Sequence, residues 1–175
     1  EQVIATFSNR GGVLKSWQLK EYLEDSGESN ELVPVLDDQE APLPFTLEVA
    51  DEQLNARLRE ALFRPSAGSL QVGAEPRSLV FEYEDSGGLQ IRKEYRFDPQ
   101  NEPFVVRFSA SVRTPRGAVN PAVRWGPGLG SSTAGGFGFT YSQPSQAIFY
   151  REEEVSRLDS SDLEETPAYE GTFGF

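Results

Sequence analysis

The 175-residue chain contains no cysteine, no histidine and no methionine. Without cysteine there is no disulfide, no thiol nucleophile and no thiolate metal site. Without histidine the Ser-His-Asp and Cys-His designs are unavailable, as is nearly all zinc chemistry. A cysteine-free chain suits an oxidising compartment, where a stray thiol is a liability. The missing methionine, with strand-like residues at both ends (EQVIATFS and EGTFGF), reads as a piece of a longer protein. Apolar runs long enough to span a bilayer are absent, as is a signal-peptide pattern. Positive charge is scarce: 16 Lys and Arg stand against 28 Asp and Glu, for a net charge of -12. Binding to phosphates relies on clustered Lys and Arg, so nucleic acid and anionic headgroups are disfavoured partners.

What is present is apolar and aromatic, with 12 Phe and 6 Tyr, in a chain long enough to bury a core without staples. Near the start, Val3, Ala5 and Phe7 alternate with polar neighbours, and so do Val13, Trp17 and Leu19. Period-two alternation indicates half-buried strands. The intervening SNRGG, residues 8–12, is therefore a hairpin turn. A phosphate cradle needs glycines that open a helix, and VLKSWQLKEY is a poor helix start. An odd loop of about five residues puts Phe7 and Val13 on one face, with glycine supplying positive φ.

LVPVL (32–36) reads as a short edge strand, since Pro34 cannot donate to a ladder, and LPFTLEV (43–49) as another. The rhythm then changes to Leu54, Leu58 and Leu62, every fourth residue, after a capping Asp51. The spacing predicts one amphipathic helix over 51–63 whose leucines pack on a sheet. In the next hairpin Leu79, Phe81 and Tyr83 share a face, as do Leu89, Ile91, Tyr95 and Phe97, with Gln90, Arg92, Glu94 and Arg96 opposite. Matching the two apolar sets demands an odd connection, Glu84 to Gly88, which places Glu82 and Glu84 near Gln90 and Arg92. Such cross-strand carboxylate and arginine rows are solvated ion pairs rather than catalytic pairs.

Phe104, Val106, Phe108, Ala110 and Val112 define the strongest strand, bounded by Pro103 and Pro115. RWGPGLGSSTAGGFGFTYS (124–142) carries six glycines, but a P-loop needs a following lysine and none occurs after Lys93. It reads as a connection between strands, and SQAIFYR (145–151) as the final full strand. Residues 151–170 hold eight acids against two arginines, a net charge of -6 and half the total. That run reads as a solvated strap, with Val155, Leu158, Leu163 and Tyr169 as its few apolar anchors. It lacks the spaced acidic pattern of a calcium loop. Ten or more strands and one helix predict an all-β protein, a large antiparallel two-sheet β-sandwich forming a single domain over 1–175.

TFSNRGGVLKSWQLKEY resembles the opening of the first periplasmic domain of YidC-type membrane protein insertases. PVLDD with APLPF, IRKEYRFDPQNEPFVVRFSASV and WGPGLG follow in matching order, and YEGTFGF resembles the return to the membrane core. The resemblance implies a mutarotase-like β-supersandwich on the periplasmic side of a bacterial inner membrane, with the helix at 51–63 as an insertion. It also implies membrane helices before Glu1 and after Phe175. The implied role is accessory and non-catalytic, without cofactor or metal. It would be a docking surface for Sec translocon components or membrane-protein substrates. Candidate surface residues are Trp17, Trp125, Tyr141 and Tyr150 with Glu152, Glu153 and Glu154. The competing expectation is a carbohydrate-binding module that stacks sugars on Trp17, Trp125, Tyr141 and Tyr150. A mutarotase-type epimerase would need histidine.

Overall fold

Alternation becomes strand in most of the places where the sequence shows it, and the exceptions have local causes. A computed structural model describes residues 3–23, 27, 29–33, 42–126, 146–151, 153–165, 168 and 173–174. The chain divides into two compact units, Glu1–Ser132 and Thr133–Phe175.

In the first unit β1 (Val3–Ser8) and β2 (Val13–Leu23) form the expected antiparallel hairpin. Gly11 and Gly12 turn it at φ 72° and 57°. The register differs from the odd-loop expectation. Phe7 faces Leu14, not Val13, and a bulge between Thr6 and Phe7 absorbs one residue of β2. Consecutive residues Val13 and Leu14 are both buried, while Lys15, the residue the bulge leaves unpaired, is exposed. β3 (Ser29–Glu31) then runs beside β2. It occupies polar residues just before the expected LVPVL strand, of which Leu32 and Val33 form a bend and 34–36 lie outside the described residues. Polar β3 is fixed by its glutamate: Glu31 accepts the backbone N–H groups of Trp17 (2.7 Å) and Val33 (3.0 Å) and the Ser16 hydroxyl.

β4 is only Thr46–Glu48, because Phe45 turns the chain at φ 69° just before it. α1 (Glu52–Glu60) starts as predicted, the Asp51 carboxylate accepting from Gln53 (2.9 Å) and Leu54 (3.1 Å). It stops one residue short of Ala61, so Leu62 lies past its end and is 61% exposed. Leu54 and Leu58 are buried as expected, joined by Asn55, whose side chain bonds both backbone groups of Val49 (2.8 and 2.9 Å).

β5 (Arg64–Pro65), β6 (Arg77–Glu84), β7 (Gln90–Asp98), β8 (Glu102–Thr114) and β9 (Gly117–Val119) form one antiparallel sheet in chain order. Glu82 faces Arg92 and Glu84 faces Gln90, so these side chains share the polar face as expected, although the expected connection would set Glu82 opposite Gln90. The connection is odd but sits one residue later than expected, closed by Asp85 N–H to the Leu89 carbonyl (3.1 Å). β10 (Ala122–Arg124) pairs with β4. The hairpin and the five-stranded sheet enclose an aromatic core. Tyr95 packs against Phe7 (4.7 Å between centroids), Phe45 (5.1 Å) and Phe108 (5.0 Å), and Phe45 against Trp125 (4.9 Å). Phe104 lies in β8, but its side chain is outside the described set.

In the second unit β11 (Ala147–Arg151) is paired on both sides, by β12 (Glu154–Leu158) and by β13 (Phe173–Gly174). β13 falls in the strand-like EGTFGF end, while β12 is a strand the sequence reading does not contain. α2 (Ser160–Glu165) is a second helix the sequence reading does not contain, begun by Asp159, which accepts from Ser161 (2.8 Å) and Asp162 (3.1 Å). The described part of the acidic run is thus strand and helix, because Val155 and Arg157 alternate against β11 and Asp159 caps α2. The fold is an all-β antiparallel sandwich carrying short helices.

Candidate functional site

The expected surface residues occupy unlike environments. Trp17 in β2 and Trp125 just after β10 are half-buried and pack against the core. Their indole faces are partly spent on packing, which leaves little ring for stacking a sugar. Tyr141 and Glu152 lie outside the described residues. Tyr150 in β11 is 53% exposed and faces Val155, itself 60% exposed. Glu153 forms the tight β11–β12 turn at φ 68°, and Glu154 begins β12; both are exposed. Tyr150, Glu153, Glu154 and Val155 therefore share one hairpin, while Trp17 and Trp125 belong to the other unit.

A groove of about 680 Å³ opens along the first unit's five-stranded sheet, lined by Arg64, Glu82, Gln90, Arg92 and Arg113 among others. Its volume suits a small ligand, but most of its charged side chains already have partners. Arg64 pairs with Glu82 (3.2 Å), Arg92 with Glu94 (2.8 Å), and Gln90 donates to Glu84 (3.1 Å). Glu94 is held below the usual carboxylate range by the Ser78 hydroxyl and by Arg92. A depressed, ion-paired carboxylate is a poor general acid or base at neutral pH. Among the described residues no group of three or more Asp and Glu is arranged to hold a metal ion.

A strongly perturbed group is one that the motifs pass over. Lys93 occupies the inward position of β7 between Ile91 and Tyr95 and is 1% exposed. Its Nζ donates to the carbonyls of Gly11 (2.6 Å), Phe45 (2.8 Å) and Gly12 (3.1 Å), and the Tyr95 hydroxyl donates to the Gly12 carbonyl (2.7 Å). Burial pushes Lys93 down to about 7 and Tyr95 upward. The parity of β7 is the sequence signal: positions 89, 91, 95 and 97 are apolar, so 93 must point inward as well. Three backbone carbonyls around one amine form a structural clamp. Glu31 is a second such clamp. Burial raises it, but bonds from Ser16, Trp17, Val33 and Gln18 outweigh that and hold its carboxyl below the usual range.

Among the described residues no helix is long and apolar enough to cross a membrane. Residues 1–172 match the family described as the YidC periplasmic domain. Among curated proteins, the chain is 31% identical over 107 residues to a membrane protein insertase YidC of Geobacter sulfurreducens, covering 61% of this chain and 20% of that protein. It is 33% identical over 99 residues to the Geobacter metallireducens protein of the same name (55% and 18%). It is 31% identical over 98 residues to the one from Syntrophus aciditrophicus (54% and 18%). The chain thus spans about a fifth of the length of these relatives. No solved structure matches it significantly. By the match over residues 1–172, the chain belongs to the YidC periplasmic domain family.

Proposed function

We propose that this chain is an accessory, non-catalytic domain on the periplasmic side of a bacterial inner membrane. In this reading it serves a membrane protein insertase as a docking surface for Sec translocon components or for membrane-protein substrates. The family match over residues 1–172 carries the proposal, and the relatives named as membrane protein insertases support it. The lack of a histidine or cysteine agrees with a role in binding rather than chemistry. The β11–β12 hairpin is the best candidate surface. It presents Tyr150 and Val155 side by side, rimmed by Glu153 and Glu154. An apolar centre with a charged rim is the general anatomy of a protein-binding patch. Its acidic rim fits a basic partner and would speed encounter at low salt.

The test is binding of the domain to purified Sec components at low and high salt. A variant with Tyr150→Ser, Glu153→Gln and Glu154→Gln serves as comparison. Weaker binding of the variant, and slower association of the parent domain as salt rises, support the reading. Equal affinity and equal salt dependence for both proteins remove this hairpin as the docking surface.

A further inference from the structure

Four stretches of the first unit meet at the Gly11–Gly12 turn. Gly11 donates to the Ala61 carbonyl (2.9 Å), Phe63 donates to the Asn9 carbonyl (2.8 Å), and Leu14 donates to the Pro44 carbonyl (3.2 Å). From beneath, β7 supplies Lys93, whose amine binds the turn and the Phe45 carbonyl together. The chain after α1, the Pro44–Phe45 turn, the hairpin turn and the five-stranded sheet therefore converge on one nitrogen.

That nitrogen has no carboxylate partner in the described structure. The Phe63 ring lies 5.7 Å away, and Tyr95 is the one titratable group bound beside it. Tyr95 is pushed upward by burial and keeps its proton. The charged groups on the neighbouring elements are paired at the surface instead: Arg10 with Glu60 (2.8 Å) and Arg64 with Glu82 (3.2 Å). β4 and β6 contribute Leu47 and Phe81 to this interior and no charge. An ammonium can satisfy all three carbonyls, since it has three protons and needs no acceptor in return. Its burial without a counter-ion nevertheless favours the neutral amine. Opening the junction to water would restore the ordinary preference for the ammonium. Opening and proton uptake are therefore linked.

We infer that this junction is a proton-driven latch, in which Lys93 takes up one proton as the Gly11–Gly12 turn is released from the strands and loop that cover it. Backbone conformation favours such a break point. Phe45, a non-glycine residue at φ 69°, is held in that unusual conformation by Nζ at its carbonyl and by Tyr95 and Trp125 against its ring. Trp125 thereby connects the latch to the segment after β10. Two stretches singled out by sequence, SNRGG and the start of WGPGLG, meet through Phe45 and Lys93.

The experiment is amide hydrogen exchange on the domain between about pH 6 and pH 10, corrected for intrinsic exchange rates. The Gly11, Leu14 and Phe63 N–H groups are the probes. Their opening constants should grow by up to about tenfold for each unit of pH lowered between 10 and 7, and level off below that. Lys93→Met should flatten the dependence. Nitrogen-15 NMR of the Lys93 amine in the unmodified domain gives an independent reading that does not need the variant to fold. A midpoint well below the ordinary 10.5, coinciding with the levelling of exchange, supports the latch. A midpoint near 10.5, or opening constants that do not change with pH, would overturn it.

Discussion

Replacing Gly12 by alanine should cost far more than the same change at Gly27, and the difference measures how tightly the turn is nested. Both glycines have positive φ, 57° at Gly12 and 82° at Gly27. A side chain in the left-handed region costs about 1–2 kcal/mol at either site. The surroundings differ. A Cβ on Gly12 would stand 3.3 Å from Lys93 Cδ, 3.4 Å from Phe81 Cβ and 3.5 Å from Phe63 Cγ, whereas a Cβ on Gly27 meets nothing within 4 Å. The Lys93 stem cannot swing aside freely, because its amine is tied to three carbonyls. Overpacking of this kind adds about 1–3 kcal/mol. Gly12→Ala should therefore lose about 2–5 kcal/mol and Gly27→Ala about 1–2. Urea unfolding followed by the fluorescence of Trp17 and Trp125 reads both values. Equal losses at the two positions would refute the view that Gly12 is needed for close packing and leave only its backbone freedom.

The helix gives a second contrast. Leu58→Ala, in the core, should cost about 2–5 kcal/mol, while Leu62→Ala, past the helix end, should change stability by less than about 0.5 kcal/mol in the same unfolding assay. Glu31 supplies a pH test. Its folded carboxyl lies below the unfolded value, so its contribution is fully present above the unfolded value of 4.5 and is lost as pH falls through the folded one. The stability gap between the parent domain and Glu31→Gln, measured by urea unfolding, should narrow as pH drops below about 4.5 and stay constant above about 6. For Lys93 the sign is opposite to a paired lysine. The unfolded chain holds the extra proton, so stability should rise with pH from about 7 toward 10 by at most about 1.4 kcal/mol per unit. With no histidine or cysteine to titrate, little else in the chain changes charge over most of that range.

Local alternation made the strands legible, and with it which side chains of β6 and β7 share the polar face. That Glu82 and Glu84 lie near Gln90 and Arg92 was readable for that reason, whereas the pairing of Glu82 with Arg92 depended on where the turn sits. Phe7 opposite Leu14 was not readable, because the turn closes on Ser8 and Val13 rather than on Phe7 and Val13, and the bulge beyond it is a two-strand property with no signature in either strand alone. The polar strand β3 was hidden for a related reason: it is held by the Glu31 carboxylate rather than by apolar burial. The Asp51 cap fixed where α1 begins, yet its end depended on Gly11 and Asn9 bonding Ala61 and Phe63, contacts about 50 residues distant that periodicity cannot see. Lys93 was visible by parity, and charge alone made it look like a surface residue. Asp159 with Asp162 and the acids beyond it begin a helix, although their charge density suggested only a solvated strap.

The docking role is tested most directly by placing a photo-cross-linking benzophenone side chain, one position at a time, in the full-length parent protein within membrane vesicles. Positions 150 and 155 sample the exposed Tyr150–Val155 face of the second unit, and position 113 samples the charged sheet of the first. Cross-links from 150 and 155 to a Sec translocon component or to a membrane protein under insertion, with none from 113, are the predicted result. Vesicles that insert substrate normally while 150 and 155 yield no cross-linked protein would contradict it.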